Sequence, residues 1–248
     1  KYNSTLERSL FGDNIDISVY KNLIDTVHKI MNLMYDYMNI RKKILNLDEL
    51  HMYDIYVDLI ESNNDNISFD EGKKILFEAL KPLGSKYLND LNKAFVEKWI
   101  DIYPSEGKRS GAYSWGCYDS YPYLLLNYND TVDAVSTMGH ELGHSMHSYY
   151  SKNQNYVDSN YPIFLAEIAS TVNEVLVNDY LYRNSKTKED KIYYLTDFLE
   201  MVRATLYRQT MFAEFESIMH EKEQNNIPLT EEEISNTYYD LNKLYYGD

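Results

Sequence analysis

Four things are scarce in this 248-residue chain: cysteine, histidine, long apolar runs and positive charge. The single cysteine, Cys117, makes an internal disulfide impossible, which fits a reducing compartment. No stretch approaches the roughly 18 consecutive apolar residues of a membrane-spanning helix. No signal-peptide pattern is visible either. These absences lead to the expectation of a cytoplasmic protein with no membrane contact. Lysine and arginine number 24 against 39 aspartates and glutamates, a net charge of −15. So acidic a surface would be repelled by nucleic acid and by anionic lipid, so neither is an expected partner. The longest basic run is "RKK" at 41–43. The chain opens on Lys1 rather than Met, and its last expected helix runs into Asp248. It therefore reads as a piece of a longer polypeptide.

What is present supports a folded domain. Hydrophobic residues make up 44% of the chain, enough to build a core. The 26 tyrosines accompany heavy use of Asn, Lys and Ile and read as compositional drift combined with packing. Most of the chain shows helical spacing. After Ser18, apolar residues recur at Leu23, Val27, Ile30, Met34, Tyr37 and Ile44, which predicts one long amphipathic helix. Ser68 with Glu71 makes a capping box, and that helix should stop near Pro82. Ser85 is a candidate cap for the next helix, with Leu88, Leu91, Phe95 and Trp99 inward. A further helix is expected from about Ile192 to His220, and Thr230 with Glu233 should open a terminal one toward Tyr246. The most loop-like stretch is "ESNNDN", 61–66.

Residues 107–129, "GKRSGAYSWGCYDSYPYLLLNYN", break the helical pattern. Glycines, Pro122 and an apolar-aromatic run together predict a small antiparallel sheet or hairpin. The expected fold is mainly α, with this sheet just ahead of the segment that gathers half of the chain's six histidines.

That segment is "DAVSTMGHELGHSMHSYY", 133–150. Asp130 is a plausible cap, and Val132, Val135, Met138, Leu142, Met146 and Tyr149 mark a buried helical stripe. His140 and His144 then lie on one face, one turn apart. "HELGH" is the H-E-x-x-H pattern: two imidazoles able to share one Zn²⁺, with the Glu141 carboxylate beside the metal. The bland alternative is a pair of surface histidines on an amphipathic helix. Zinc in such sites needs a third protein ligand. "YPIFLAEIASTVNEVLVNDYL", 161–181, reads as a helix entered at Pro162, apolar nearly all round and therefore buried. Glu167, Ser170, Thr171, Glu174 and Asn178 form its one polar stripe. Buried carboxylates need a partner or a metal. Glu167 follows His144 by enough chain to return antiparallel, so it is the expected third ligand; an ordinary salt bridge is the alternative. Glu174, two turns on, suits the free N–H of a ligand histidine, or plain packing. His147 is left between a hydrogen-bonding or substrate-side role and a structural one. His28, His51 and His220 read as structural, and no base accompanies Cys117 as a nucleophile.

These blocks resemble the oligoendopeptidase F family of zinc metallopeptidases, relatives of thimet oligopeptidase. The likeness rests on "ERSLFGDN" (7–14), "DIYPSEGKRSGAYSWG" (101–116), "YPYLLLNYN" (121–129), "GHELGHSMHSYY" (139–150), "FLAEIASTVNE" (164–174) and "LYRQTMFAEFE" (206–216). It covers essentially the whole chain. "HELGH" is common to many zinc peptidases, whereas "AEIASTVNE" at this spacing is much more specific. The resemblance implies a zincin-type catalytic domain over 1–248: a helical part (1–106), the sheet (107–129), and the metal-binding and C-terminal helices (130–248). It implies one Zn²⁺ on His140, His144 and Glu167, with Glu141 as catalytic carboxylate. It further implies a substrate strand at Leu124, Leu125, Leu126 and Asn127, whose edge would pair with short peptides in a deep channel. The family's N-terminal helical region and a later His/Tyr segment find no match here. The expectation is therefore a fragment that holds the metal site and lacks full activity. An inactive metal- or peptide-binding piece, or a structural helical domain, are the alternatives.

Overall fold

The structure, a computed structural model, describes residues 1–60 and 66–247. The expected loop at 61–66 falls outside the described residues except for Asn66. The chain divides into two compact units, residues 1–61 with 196–248, and residues 62–195. No helix among the described residues is long and apolar enough to cross a membrane.

The first unit opens with α1 (Thr5–Phe11). The single helix predicted through Ile44 is two, α2 (Ile17–Lys29) and α3 (Met31–Ile44), broken at Ile30. The physical reason lies far along the chain. Ile30 leaves helical geometry at φ −113° and ψ 15°, and its carbonyl accepts from the Tyr207 hydroxyl at 3.1 Å. Asp16 caps α2 by accepting from the Ser18 N–H.

The second unit begins with α4 (Phe69–Ala79), and the capping box forms in both directions between Ser68 and Glu71. Helix α5 (Ser85–Val96) starts one residue earlier than expected: Gly84, at φ 89°, holds the cap position and Ser85 is already helical. It also ends before Trp99, because Lys98 turns the chain at φ 58°. Trp99 is buried all the same. The sheet has three short strands, β1 (Ile100–Asp101), β2 (Tyr113–Trp115) and β3 (Tyr123–Leu125), in the order β1-β3-β2. β2 and β3 pair antiparallel, as expected of a hairpin. β1, which carries no strand signal of its own at two residues, joins parallel and makes the sheet mixed.

Helix α6 (Val132–Ser151) is capped by Thr131, whose Oγ1 accepts from the Ala134 N–H at 3.1 Å. Asp130, the expected cap, sits at φ 59° and turns the chain into the helix. The stripe Val132, Val135, Met138, Leu142 and Met146 is buried as its spacing requires, packed on Leu76 and Leu80 around α4 and on Leu91 of α5. Helix α7 (Ile163–Asn184) follows, entered at Pro162. It departs from expectation: Ile163, Phe164, Ile168, Val172 and Val175 face solvent. Its buried residues are Ala166, Ser170, Asn173, Val177 and Asn178. Of the polar stripe, Ser170 and Asn178 lie on the inner face, Thr171 and Glu174 are half-buried and Glu167 is exposed.

The chain continues as α8 (Lys188–Val202), a π-helical turn at Arg203–Tyr207, and α9 (Arg208–Gln224). The terminal α10 (Glu231–Tyr246) is capped by Thr230, which accepts from the Glu233 N–H. In the first unit, Val27, Met31, Met34 and Met38 pack with Tyr207, Met211, Leu241 and Tyr245.

Candidate metal centre

Small residues on α6 let α7 come close. A Cβ on Gly143 would stand 2.6 Å from the Ser170 Cα and 2.7 Å from the Ala169 carbonyl. The two helices run antiparallel, so Gly143 lies over Ser170 while Gly139 lies by Asn173. This contact sets the distance across which the ligand candidates face one another.

His140, His144 and Glu167 come together, each offering an atom within 4.8 Å of the others. Glu167 Oε2 is 3.4 Å from His140 Nε2 and 3.3 Å from His144 Nε2. Bond lengths of about 2.0–2.2 Å around a tetrahedral Zn²⁺ put neighbouring ligand atoms about 3.3–3.6 Å apart, so both spacings fit such an ion. The two imidazoles stand nearly perpendicular, with centroids 4.9 Å apart. The Glu167 side chain is 62% exposed, which leaves an open side on the triad.

The groups behind the triad fix its orientation. His140 Nδ1 lies 3.2 Å from Glu174 Oε2, the partner expected for it, and this leaves Nε2 facing Glu167. Ser170 Oγ donates to Glu167 Oε2 at 2.7 Å, the same oxygen that faces both histidines. Glu141, between the two histidines in sequence, is buried, with the backbone of Ser114 on β2 as a hydrogen-bond partner and with His140 and Glu167 within electrostatic range. A second tie runs between Ser114 Oγ and Ser145 Oγ of α6 at 2.8 Å.

Electrostatics differ sharply within one helix. The hydrogen bond to Glu174 raises the pKa of His140 against the opposing effect of burial. Burial lowers that of His144. Burial also raises that of Glu141, assisted by Glu167 and opposed by His140. A buried carboxyl with an elevated pKa between two imidazoles in sequence is a group suited to proton transfer.

His147 is not brought into the triad. Its ring stacks on Tyr161, centroids 3.7 Å apart, and its Nδ1 is buried without a hydrogen-bond partner. The segment Leu124–Asn127 is placed differently from the expectation. β3 is the central strand: Leu124 and Leu126 donate to the Trp99 and Asp101 carbonyls on one side, and β2 fills the other. The Asn127 amide donates to the Arg109 and Gly111 carbonyls. With both edges taken, this segment has no free row of backbone groups to offer a peptide. The edge strand on the Glu141 side is β2, with Tyr113 and Trp115 exposed. The sequence shows which residues pair as a hairpin, but not that two residues at Ile100 will cover its far side.

Comparison with known proteins shows the family. The sequence signature described as "Peptidase family M3" spans residues 1–248. The chain belongs to peptidase family M3. Within the family it is 45% identical over its whole length to Oligopeptidase PepF of Bacillus subtilis, covering 37% of that protein. It is 42% identical to Group B oligopeptidase PepB of Streptococcus agalactiae, covering 41% of it. Among solved structures, a Chlamydophila abortus protein superposes with TM-score 0.88 at 45% identity, and oligoendopeptidase-F from Enterococcus faecium with TM-score 0.70 at 33% identity. This chain covers 42% and 37% of those two. It thus spans about two fifths of the length of the curated relatives it matches.

Proposed function

We propose that the chain carries the metal centre of a zinc peptidase that cleaves internal bonds of short peptides. The observation that supports this most directly is the tetrahedral-edge spacing of Glu167 Oε2 from two imidazole Nε2 atoms. His140, His144 and Glu167 hold the ion. A zinc ion held there supplies a Lewis acid for the scissile carbonyl and lowers the pKa of water to about 7.

The other residues do the rest. Glu141 takes the proton of the attacking water and returns it to the leaving amine, a step worth roughly 10²–10⁴-fold. Its raised pKa, caused by burial, favours the first of these transfers. Glu174 keeps His140 in the tautomer that leaves Nε2 unprotonated. The substrate backbone lies along the free edge of β2, over the exposed side of Glu167, in place of the β3 segment. Peptides are the substrates by kinship with the oligopeptidases named above.

The test separates holding the metal from chemistry. Glu141→Gln should retain one zinc per chain and lose hydrolysis of a fluorogenic peptide; retained turnover would remove Glu141 from its role. Glu167→Ala should lose zinc, and undiminished metal content would discard the third ligand. A second reading is a piece that binds metal or peptide without turnover, favoured by the chain's coverage of only 37–41% of its relatives. Turnover by the wild-type chain itself decides between them.

A further inference from the structure

Steric contact at Gly143 sets how far α6 stands from α7, but it does not stop one helix sliding along the other. Sliding matters here because the ligands are split between the two. A slip of one residue moves a helix about 1.5 Å along its axis. Coordination distances tolerate only about 0.2 Å. Something directional must therefore hold the register.

We propose that Asn173 is that positioning residue. Its side chain is buried, 1% exposed, on the inner face of α7. Its Nδ2 donates to the Gly139 carbonyl of α6 at 3.0 Å. Its Oδ1 accepts from the Tyr87 hydroxyl of α5 at 3.1 Å. One amide thus ties three helices, and it does so at the peptide group that leads into His140. The neighbouring pair repeats the tie, since Glu174 meets His140 as Asn173 meets Gly139. A buried amide costs stability unless both its ends are bonded, and here both are. The Gly139 carbonyl lies within α6, so the bond from Asn173 adds no turn and no cap; what it fixes is the helix position. Asn173 touches neither ligand atom nor substrate edge. It acts through the placement of His140 relative to Glu167.

The inference rests on the zinc reading, so the experiment measures zinc affinity first on the wild-type chain, by competition with a chromogenic chelator at neutral pH. Asn173→Leu removes both bonds at similar volume. Asn173→Asp keeps the size and the acceptor for Tyr87 but removes the donor to Gly139. Both should weaken zinc binding by about 10-fold or more, the range seen when the groups orienting a ligand are lost. Tyr87→Phe spares the Gly139 bond and should cost less than either. Met211→Ala, a truncation in the separate core of the first unit, controls for general loosening: it should lower Tm and leave zinc affinity within about 2-fold, since sites that share no partners act independently. Cobalt-loaded Asn173→Asp should show a visible spectrum shifted from that of the wild type. Wild-type zinc affinity in Asn173→Asp overturns the proposal, as does an equal loss in Met211→Ala. If Asn173→Leu does not fold, Asn173→Asp decides alone. A wild-type chain that binds no zinc overturns the metal centre itself, a distinct result.

Discussion

Helices α6 and α7 are neighbours of similar length and similar apolar content, yet they are built in opposite senses. On α6 the apolar stripe faces inward, and the two histidines emerge from its half-buried flank. On α7 the large apolar residues Ile163, Phe164 and Ile168 face outward, and Ser170, Asn173 and Asn178 are buried. The difference has one cause. From Ser170 to Glu174 the inner face of α7 meets the backbone and ligand candidates of α6, so it needs small or hydrogen-bonding side chains there, and only further along does Val177 enter the hydrophobic core. Ser170 orients Glu167, Asn173 reaches Gly139, and Glu174 reaches His140. Apolar content alone does not tell which face of a helix is buried; the chemistry of its partner does.

The harshest test of this contrast is at the glycines of α6. Gly143→Ala gains about 1 kcal/mol in helix propensity. Against that, its Cβ overlaps the backbone of Ser170 and Ala169, which cannot rotate away. Overpacking costs about 1–3 kcal/mol even where side chains can adjust. The clash should win, lowering Tm and zinc affinity together. Gly139→Ala meets only side-chain ends of Leu76 and Val177 at 3.3 Å and should be nearly neutral. Equal behaviour of the two variants, in melting and in metal binding, would contradict the close-approach account.

A milder pair compares the two apolar stripes. Leu142 on α6 is fully buried, so Leu142→Ala should cost about 2–5 kcal/mol in denaturant unfolding. Ile168 on α7 is 55% exposed, so Ile168→Ser should stay within about 0.5 kcal/mol of wild type. A large loss for Ile168→Ser would mean that the outer face of α7 is covered in solution.

The same contrast explains what could be read from the sequence. Features set within a few residues were legible: the Ser68–Glu71 box, the Thr230 cap, the stripe on α6, the hairpin of β2 and β3. The His–Glu–His spacing is of that kind, which is why the imidazoles could be placed on one face. Features set by distant partners were not. The break at Ile30 depends on a hydroxyl 177 positions away. Trp99 is buried without belonging to a helix because Lys98 turns the chain. The Asp130 position reads as a cap, yet a left-handed φ there hands the cap to Thr131. Asn173 and Tyr87 stand 86 positions apart, and nothing local marks either as a partner. The one available signal was an amide in an apolar helix, beside a glutamate already singled out.

The smallest expected effect concerns how α6 is anchored at its far end. Asp90 on α5 accepts from Lys86 at 2.8 Å, from Lys93 at 2.7 Å and from the Tyr150 hydroxyl of α6 at 3.1 Å. Those lysines, Lys86 first, pull the Asp90 pKa down to about 2. A depressed carboxyl contributes stability in full above its unfolded value near 3.9, and loses it as pH falls toward 2. Carboxyl NMR should therefore find Asp90 titrating below its exposed neighbours. Asp90→Asn should flatten the fall in Tm between about pH 4 and pH 2 without changing Tm's dependence above pH 5. Salt should shrink the effect, because the lysine partners are well hydrated. If Asp90 titrates near 4, α6 is held at that end by the packing of Tyr149 and Tyr150 rather than by charge. Its two ends would then be anchored by the same kind of force, and the asymmetry with α7 would narrow to the inner face alone.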